Sequence, residues 1–195
     1  MPQPPRIASA APCAQRRGFL RRLSWTALGL APAGAVLAAA ARECRALSFV
    51  HTHTGEQLSA VYFESGRYRP EVLARVNILL RDFRTETVHP IDPLVLDRLH
   101  ALQTLSRCGD AFEVISGYRS PATNAALRGR SSGVAEHSLH MEGRAIDVRL
   151  RGFDTARLAM LARGQRAGGV GYYRVSDFVH VDTGRVRIWG DPLDA

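Results

Sequence analysis

Two short stretches of this 195-residue chain concentrate side chains that bind metal ions. Ser138-Leu139-His140-Met141-Glu142-Gly143-Arg144-Ala145-Ile146-Asp147 supplies an imidazole and a carboxylate. Phe178-Val179-His180-Val181-Asp182 supplies a second imidazole, with another carboxylate two positions on. Zinc takes imidazole nitrogen and carboxylate oxygen, and a catalytic zinc site uses three protein ligands with one position left for water. His140, Asp147 and His180 make such a set, for one zinc ion per chain. Zinc held that way lowers the pKa of its water and polarises a carbonyl, which is the chemistry of amide hydrolysis.

The intervening residues suit this purpose. Gly143 can turn the chain, and the strand-like run after it alternates Ala145, Asp147 and Arg149 with Ile146, Val148 and Leu150. Asp147 can therefore face a cleft while the aliphatics face a core. By the same alternation His180 and Asp182 share one face, and Val179 and Val181 the other. Pairing of the two strands would bring the ligands together. Asp182 is a candidate for handling protons beside the metal, or for orienting an imidazole from behind. Glu142 fits a solvated turn. His51 and His53 form an alternative histidine pair at strand spacing, but no third ligand of clear role accompanies them, and a polar strand face accounts for both.

Elements that would position these groups can be read from periodicity. Leu47–Val50 and Leu58–Phe63 are β-prone and flank the polar turn His53-Thr54-Gly55-Glu56, which predicts a hairpin. Val72, Leu73, Val76, Leu79, Leu80 and Phe83 recur at helical spacing, predicting a helix over Pro70–Arg84. Leu94, Val95, Leu96, Leu99, Leu102 and Leu105 predict a second helix, from after Asp92-Pro93 to before Cys108-Gly109. Phe112–Ile115 reads as a strand entering the turn-rich Ser116-Gly117-Tyr118-Arg119-Ser120-Pro121. A short helix can start at Thr123–Leu127, Arg128–Gly133 reads as a loop, and Thr155–Ala162 as a helix. Mixed order and short strands imply an α+β domain over residues 42–195: a small, mostly antiparallel sheet carrying the site, flanked by helices.

The pattern Ser-x-His-x-x-Gly-x-Ala-x-Asp with a later strand histidine resembles the zinc motif of the D-Ala-D-Ala metallopeptidase and hedgehog-type superfamily. His53-Thr54-Gly55-Glu56, Ile115-Ser116-Gly117-Tyr118-Arg119-Ser120, Gly168-Gly169-Val170-Gly171-Tyr172-Tyr173 and Phe178-Val179-His180-Val181-Asp182-Thr183-Gly184 are similar to its periplasmic murein endopeptidase branch. The resemblance covers nearly the whole chain after residue 41. It implies hydrolysis of peptide cross-links in peptidoglycan, between two diaminopimelate residues. It also implies that Arg119 holds a substrate carboxylate or stabilises the oxyanion, a role suited to its fork of donors. Many such relatives carry Glu three residues before the last histidine; Asp177 stands there here, one methylene shorter, as a candidate general base beside Asp182. Ser116 and Tyr118 flank Arg119 as candidate substrate contacts, Ser138 is placed to support the metal loop, and Tyr172 and Tyr173 can line the cleft or pack on the sheet. A D-Ala-releasing carboxypeptidase or dipeptidase would use the same ligands, and a cell-wall binding module would need no turnover.

Composition bears on where the chain works. Its formal charge of +8 and pI near 10.4 suggest an anionic partner. Residues 1–41, however, hold five arginines and no acid, so only +3 lies beyond them. With no basic stripe interleaved with aromatics, a nucleic-acid partner is not expected. Gln15-Arg16-Arg17-Gly18-Phe19-Leu20-Arg21-Arg22 followed by the Ala-rich run from Trp25 to Ala41 resembles a twin-arginine export signal, implying the twin-arginine machinery as a partner and a periplasmic destination. The run is short and interrupted by Pro32, which favours cleavage near Ala40 or Ala41 over a lasting membrane anchor. Cys44 and Cys108 would then remain, able to pair in an oxidising compartment if geometry allows.

Overall fold

The hairpin forms where the alternating residues put it: β1 (Cys44–His51) runs antiparallel to β2 (Gln57–Glu64), with Phe49 opposite Leu58. This computed structural model describes residues 43–130 and 133–193, so the export signal expected in residues 1–41 and Ser131-Ser132 of the expected loop lie outside the described residues. A two-residue β3 (Arg67–Tyr68) extends the hairpin.

Helix α1 (Pro70–Leu79) begins at a proline, whose fixed φ suits a first turn. It stops short of the Arg84 end that periodicity predicts, because Asp82 is claimed by another element. The buried Asp82 carboxylate accepts from the Ser120 amide (2.9 Å) and the Ser120 hydroxyl (2.6 Å), which pulls the chain out of helix. Helix α2 (Pro93–Ser106) matches its expected span. Asp92 caps it by accepting from the Leu94 amide, and Val95, Leu96, Leu99 and Leu102 are fully buried along one stripe. After β4 (Phe112–Ser116), helix α3 (Pro121–Arg128) is capped by Ser120. A single 3₁₀ turn, Leu139–Glu142, leads to β5 (Ala145–Leu150), and α4 (Thr155–Gly164), capped by Asp154, leads to β6 (Gly169–Tyr173), β7 (Phe178–Asp182) and β8 (Arg187–Gly190).

All eight strands join one sheet in the order β3-β2-β1-β4-β5-β7-β6-β8. The β1–β4 and β6–β8 pairs are parallel and the other pairs antiparallel. Helices α2 and α4 cover one face, burying Phe49, Phe112, Val114, Ile146, Val148, Val170, Val179 and Val181. Burying each such side chain contributes about 1.5–3 kcal/mol. The opposite face of the same strands is left for chemistry. The α+β architecture read from the sequence is therefore the one observed. Strands β3, β6 and β8 were not legible as strands: β6 carries two glycines in five residues, and β3 and β8 are short edge pieces. No disulfide joins Cys44 and Cys108; the Cys108 sulfur lies against Asp110 and the Arg151 carbonyl. Among the described residues no helix is long and apolar enough to cross a membrane.

Candidate metal centre

One row of residues crosses five strands on the open face. Ser116 pairs with Asp147, Asp147 with His180, His180 with Gly171, and Gly171 with Trp189. The two strands that carry Asp147 and His180 are thus direct neighbours in matching register. His140 joins them from the 3₁₀ turn. His140 Nε2 lies 3.1 Å from His180 Nδ1 and 3.3 Å from Asp147 Oδ1, and His180 Nδ1 lies 2.9 Å from the same oxygen. All three residues are buried, and their donor atoms fall within 4.8 Å of one another.

What the outer nitrogens do decides what the inner ones are. His140 Nδ1 sits 2.7 Å from the Gly117 carbonyl oxygen, which only accepts, so Nδ1 carries the hydrogen. His180 Nε2 sits 3.0 Å from Asp182 Oδ2, a carboxylate oxygen, so Nε2 carries the hydrogen there. Both inner nitrogens are left with lone pairs that face each other and an Asp147 oxygen. Three electron-rich donors pointed at one spot, without a hydrogen among them, fit a bound cation. The pKa directions show a preference for positive charge at this spot. Burial alone would raise the Asp147 pKa, but His140 and His180 hold it far below the usual carboxylate range. Burial opposes charge on His180, and its contacts with Asp147 and Asp182 outweigh that and raise its pKa.

The local chain explains the placement. Ser138 caps the 3₁₀ turn, its hydroxyl 3.4 Å from the His140 amide. Gly143 ends that turn at φ 66°, and a Cβ on it would run into the Pro90 carbonyl. Glycine is needed there for both reasons, which accounts for the motif. Asp182 has no exposed surface: besides His180 it accepts from the Gly169 and Gly184 amides and from Arg187. Burial would raise its pKa, but His180 above all, with the Gly184 and Gly169 amides, holds it low. Behind it, buried Arg98 of α2 donates to the Asp182 and Gly169 carbonyls, fixing β7 against the helix layer.

Arg119 is brought to the rim. Its amide donates to the His140 carbonyl (3.1 Å), one guanidinium nitrogen lies 3.7 Å from Asp147 Oδ2, and another lies 3.4 Å from Asn124 Oδ1. Its buried Nε–H has no partner among the described residues. Burial lowers its pKa, and Asp147 offsets part of that. Ser116 occupies the row beside Asp147, whereas the Tyr118 ring packs edge-on against His89 and the core margin.

Two expectations need correcting. Tyr172 does not line the cleft: it pairs with Val179 and is buried in the helix-covered core, one residue out of phase with Gly171 and Tyr173. Asp177 is not brought to the metal ligands. It sits in the turn before β7, where its carboxylate accepts from Arg149 (3.1 Å) and the Thr155 hydroxyl (2.6 Å). Sequence reasoning also missed the Gly117 carbonyl and Trp189, whose ring centroid lies 5.1 Å from that of His180. A backbone acceptor leaves no mark on residue type, but a tryptophan after the last histidine was a visible signal.

Comparison with known proteins follows the same lines. Residues 39–189 match the model of the M15 peptidase family described as peptidoglycan L,D-endopeptidase MepK. Peptidoglycan L,D-endopeptidase MepK of Escherichia coli strain K12 is 42% identical over 178 residues, covering 90% of this chain and 97% of the relative. The probable peptidoglycan L,D-endopeptidase MepK of Haemophilus influenzae is 43% identical over 146 residues, 74% of this chain and 78% of that protein. On these matches, this chain belongs to the MepK family of peptidoglycan endopeptidases.

Proposed function

We propose that the chain is a zinc-dependent endopeptidase that cuts the bond between two diaminopimelate residues in peptidoglycan cross-links, working in the periplasm after twin-arginine export. The observation that carries this is the convergence of His140 Nε2, Asp147 Oδ1 and His180 Nδ1, with each imidazole's hydrogen held on its outer nitrogen by the Gly117 carbonyl or Asp182. The donor set, two imidazoles and one carboxylate, suits zinc and leaves one position open. Bound there, zinc would supply an acidified water and a polarised carbonyl.

The chain's own residues do the rest. Gly117 and Asp182 hold the imidazoles in the tautomers that present lone pairs. Arg119 holds its guanidinium beside Asp147, a fork of donors suited to a carboxylate or a developing oxyanion of the substrate. Ser116, next in the row, borders the same strip. Asp182 acts by orienting His180, since every side of its carboxylate is already taken. Family membership and the names of the relatives support peptidoglycan as substrate. The paired arginines Arg16-Arg17 and the Ala-rich run support the export route, with no lasting anchor.

Purified sacculi test this directly. One zinc per chain and chelator-sensitive release of muropeptides are expected, with product masses that report a cut between diaminopimelates. Release of D-Ala alone would show a carboxypeptidase, and unchanged activity in His140→Ala would remove the metal from the mechanism.

A further inference from the structure

The row that holds the metal ligands ends in an aromatic wall that the zinc chemistry does not explain. Gly171 stands between His180 and Trp189, and a Cβ on it would lie 2.6 Å from the indole nitrogen. The missing side chain is therefore the seat of the indole, which lies over Gly171 and against the His180 ring. From that seat the indole N–H donates to the Tyr173 hydroxyl at 2.9 Å. Tyr173 shares the face of Gly171 and His180, and its ring stacks on Phe178 with centroids 4.6 Å apart. Its orientation is thus set at both ends, by a stack on one side and a donor at the oxygen.

Hydrogen-bond accounting fixes what remains. An indole nitrogen only donates, so the phenol oxygen must accept in that pair. The Tyr173 O–H proton is then unspent, with no acceptor for it among the described residues. Tyr173 is only partly buried, on the strand face that carries Gly171 and His180. A preorganised donor beside a hydrolytic centre, aimed by its neighbours and spent on nothing, is what stabilises charge developing on a carbonyl oxygen.

We propose that the Tyr173 hydroxyl donates a hydrogen bond to the oxygen of the scissile carbonyl as water adds to it, and that Trp189 is the positioning residue that aims this hydroxyl. No bond to Tyr173 forms or breaks, and its proton stays on the phenol. The inference rests on the peptidase function proposed above. Tyr173, expected from the sequence to line the cleft or pack on the sheet, thereby has a specific task.

The test uses the whole chain loaded with zinc and a cross-linked muropeptide joined between diaminopimelates. Tyr173→Phe keeps the stack on Phe178 and removes only the hydroxyl. It is expected to lower kcat about 100-fold with KM within about twofold and zinc content unchanged. Trp189→Phe is expected to lower kcat about tenfold, and the double variant to be no worse than Tyr173→Phe alone, since one residue acts through the other. A binding readout stands beside turnover. Trp25 and Trp189 are the two tryptophans, so in a Trp25→Phe chain the emission reports Trp189 alone. A phosphinate analogue of the diaminopimelate dipeptide, titrated by that emission, is expected to bind about 100-fold more weakly to Tyr173→Phe. Full turnover and full phosphinate affinity in Tyr173→Phe, or a double variant whose losses multiply, would overturn the proposal. A raised KM with unchanged kcat would overturn it too, placing the hydroxyl in ground-state binding. If the wild-type chain holds zinc but neither cuts the muropeptide nor binds the phosphinate, the peptidase function itself fails. That outcome cannot be confused with the others.

Discussion

The chain holds two histidine pairs near the same end of its sheet, and they are built for opposite ends. At the metal centre both outer nitrogens meet pure acceptors, Gly117 O and Asp182 Oδ2, so both inner nitrogens are bare. At the other pair the polarity is reversed. His51 Nδ1 faces backbone amides of His53 and Thr54 at 3.3 and 3.4 Å, which spends its lone pair and turns its hydrogen to Nε2, buried without a partner among the described residues. His53 lies in the turn beyond β1 and stacks on Phe83 at 4.2 Å, with Arg84 over the same ring. Residue type does not separate these pairs. The groups behind the imidazoles do, because they decide whether lone pairs or hydrogens point inward.

The sharpest way to break this contrast is to delete one member of each pair. His140→Ala should abolish stoichiometric zinc and cut turnover at least about 1000-fold, whereas His53→Ala should keep one zinc and stay within about threefold. Metal analysis with muropeptide release on the same preparations decides it. Zinc lost from His53→Ala would put the second pair into the metal site.

How much of this was legible beforehand follows the same division. Asp147 and His180 were legible as neighbours because two strands of strict alternation place them on one face, and the observed register puts them opposite each other, while His140 joins from the 3₁₀ turn that Gly143 ends. The helices α2 and α4 were readable from their stripes and caps. What escaped was set by long-range contact. Asp82 ended α1 early because Ser120 lies 38 residues away in sequence. Tyr172 was assigned to the cleft one residue out of phase, since β6 was not recognised as a strand and its two glycines blur any period. Asp177 was chosen by its distance from His180 along the chain, which says nothing of Arg149 and Thr155.

The second pair has its own signature, in stability. Burial chiefly, with His53 and Arg81 adding, pushes the His51 pKa down to about 4, while Glu56 opposes. In the unfolded chain the imidazole titrates near 6.5. Above that value neither state binds the proton and the stability due to neutral His51 is complete. As pH falls towards 4 the unfolded state takes up a proton the folded one refuses, so up to about 3 kcal/mol is lost in that window. Urea unfolding of wild type and His51→Phe at pH 7 and 4.5 isolates this, since the metal centre titrates in both. Parallel pH dependence in the two would show that His51 is not the buried neutral group described.

A milder change reaches the first pair from behind. Asp182→Asn keeps an oxygen for the His180 N–H but removes the charge, and should weaken zinc about 10- to 100-fold while the fold persists. Competition with a chelator of known affinity measures it. Equal affinity in variant and wild type would mean that hydrogen-bond geometry alone, without the carboxylate charge, orients the imidazole.

The smallest effect is expected where chain position most suggested a large one. Asp177 is mostly exposed, in a left-handed turn conformation at φ 51°, and both carboxylate oxygens are engaged, one by Thr155 and one by Arg149. Arg149 is itself held by Glu113, so the three form an ion-paired row across neighbouring strands, one step along the sheet from Asp147 and His180. A base must reach the water it deprotonates, and a carboxylate tied into such a row does not. Asp177→Asn should therefore change kcat by less than about threefold, with a modest stability loss of the size typical of exposed ion pairs, up to about 1 kcal/mol. A loss of 100-fold or more with zinc retained would show that the row opens on substrate binding and releases Asp177 to the centre, and the contrast between a working pair and a bystander carboxylate would have to be redrawn.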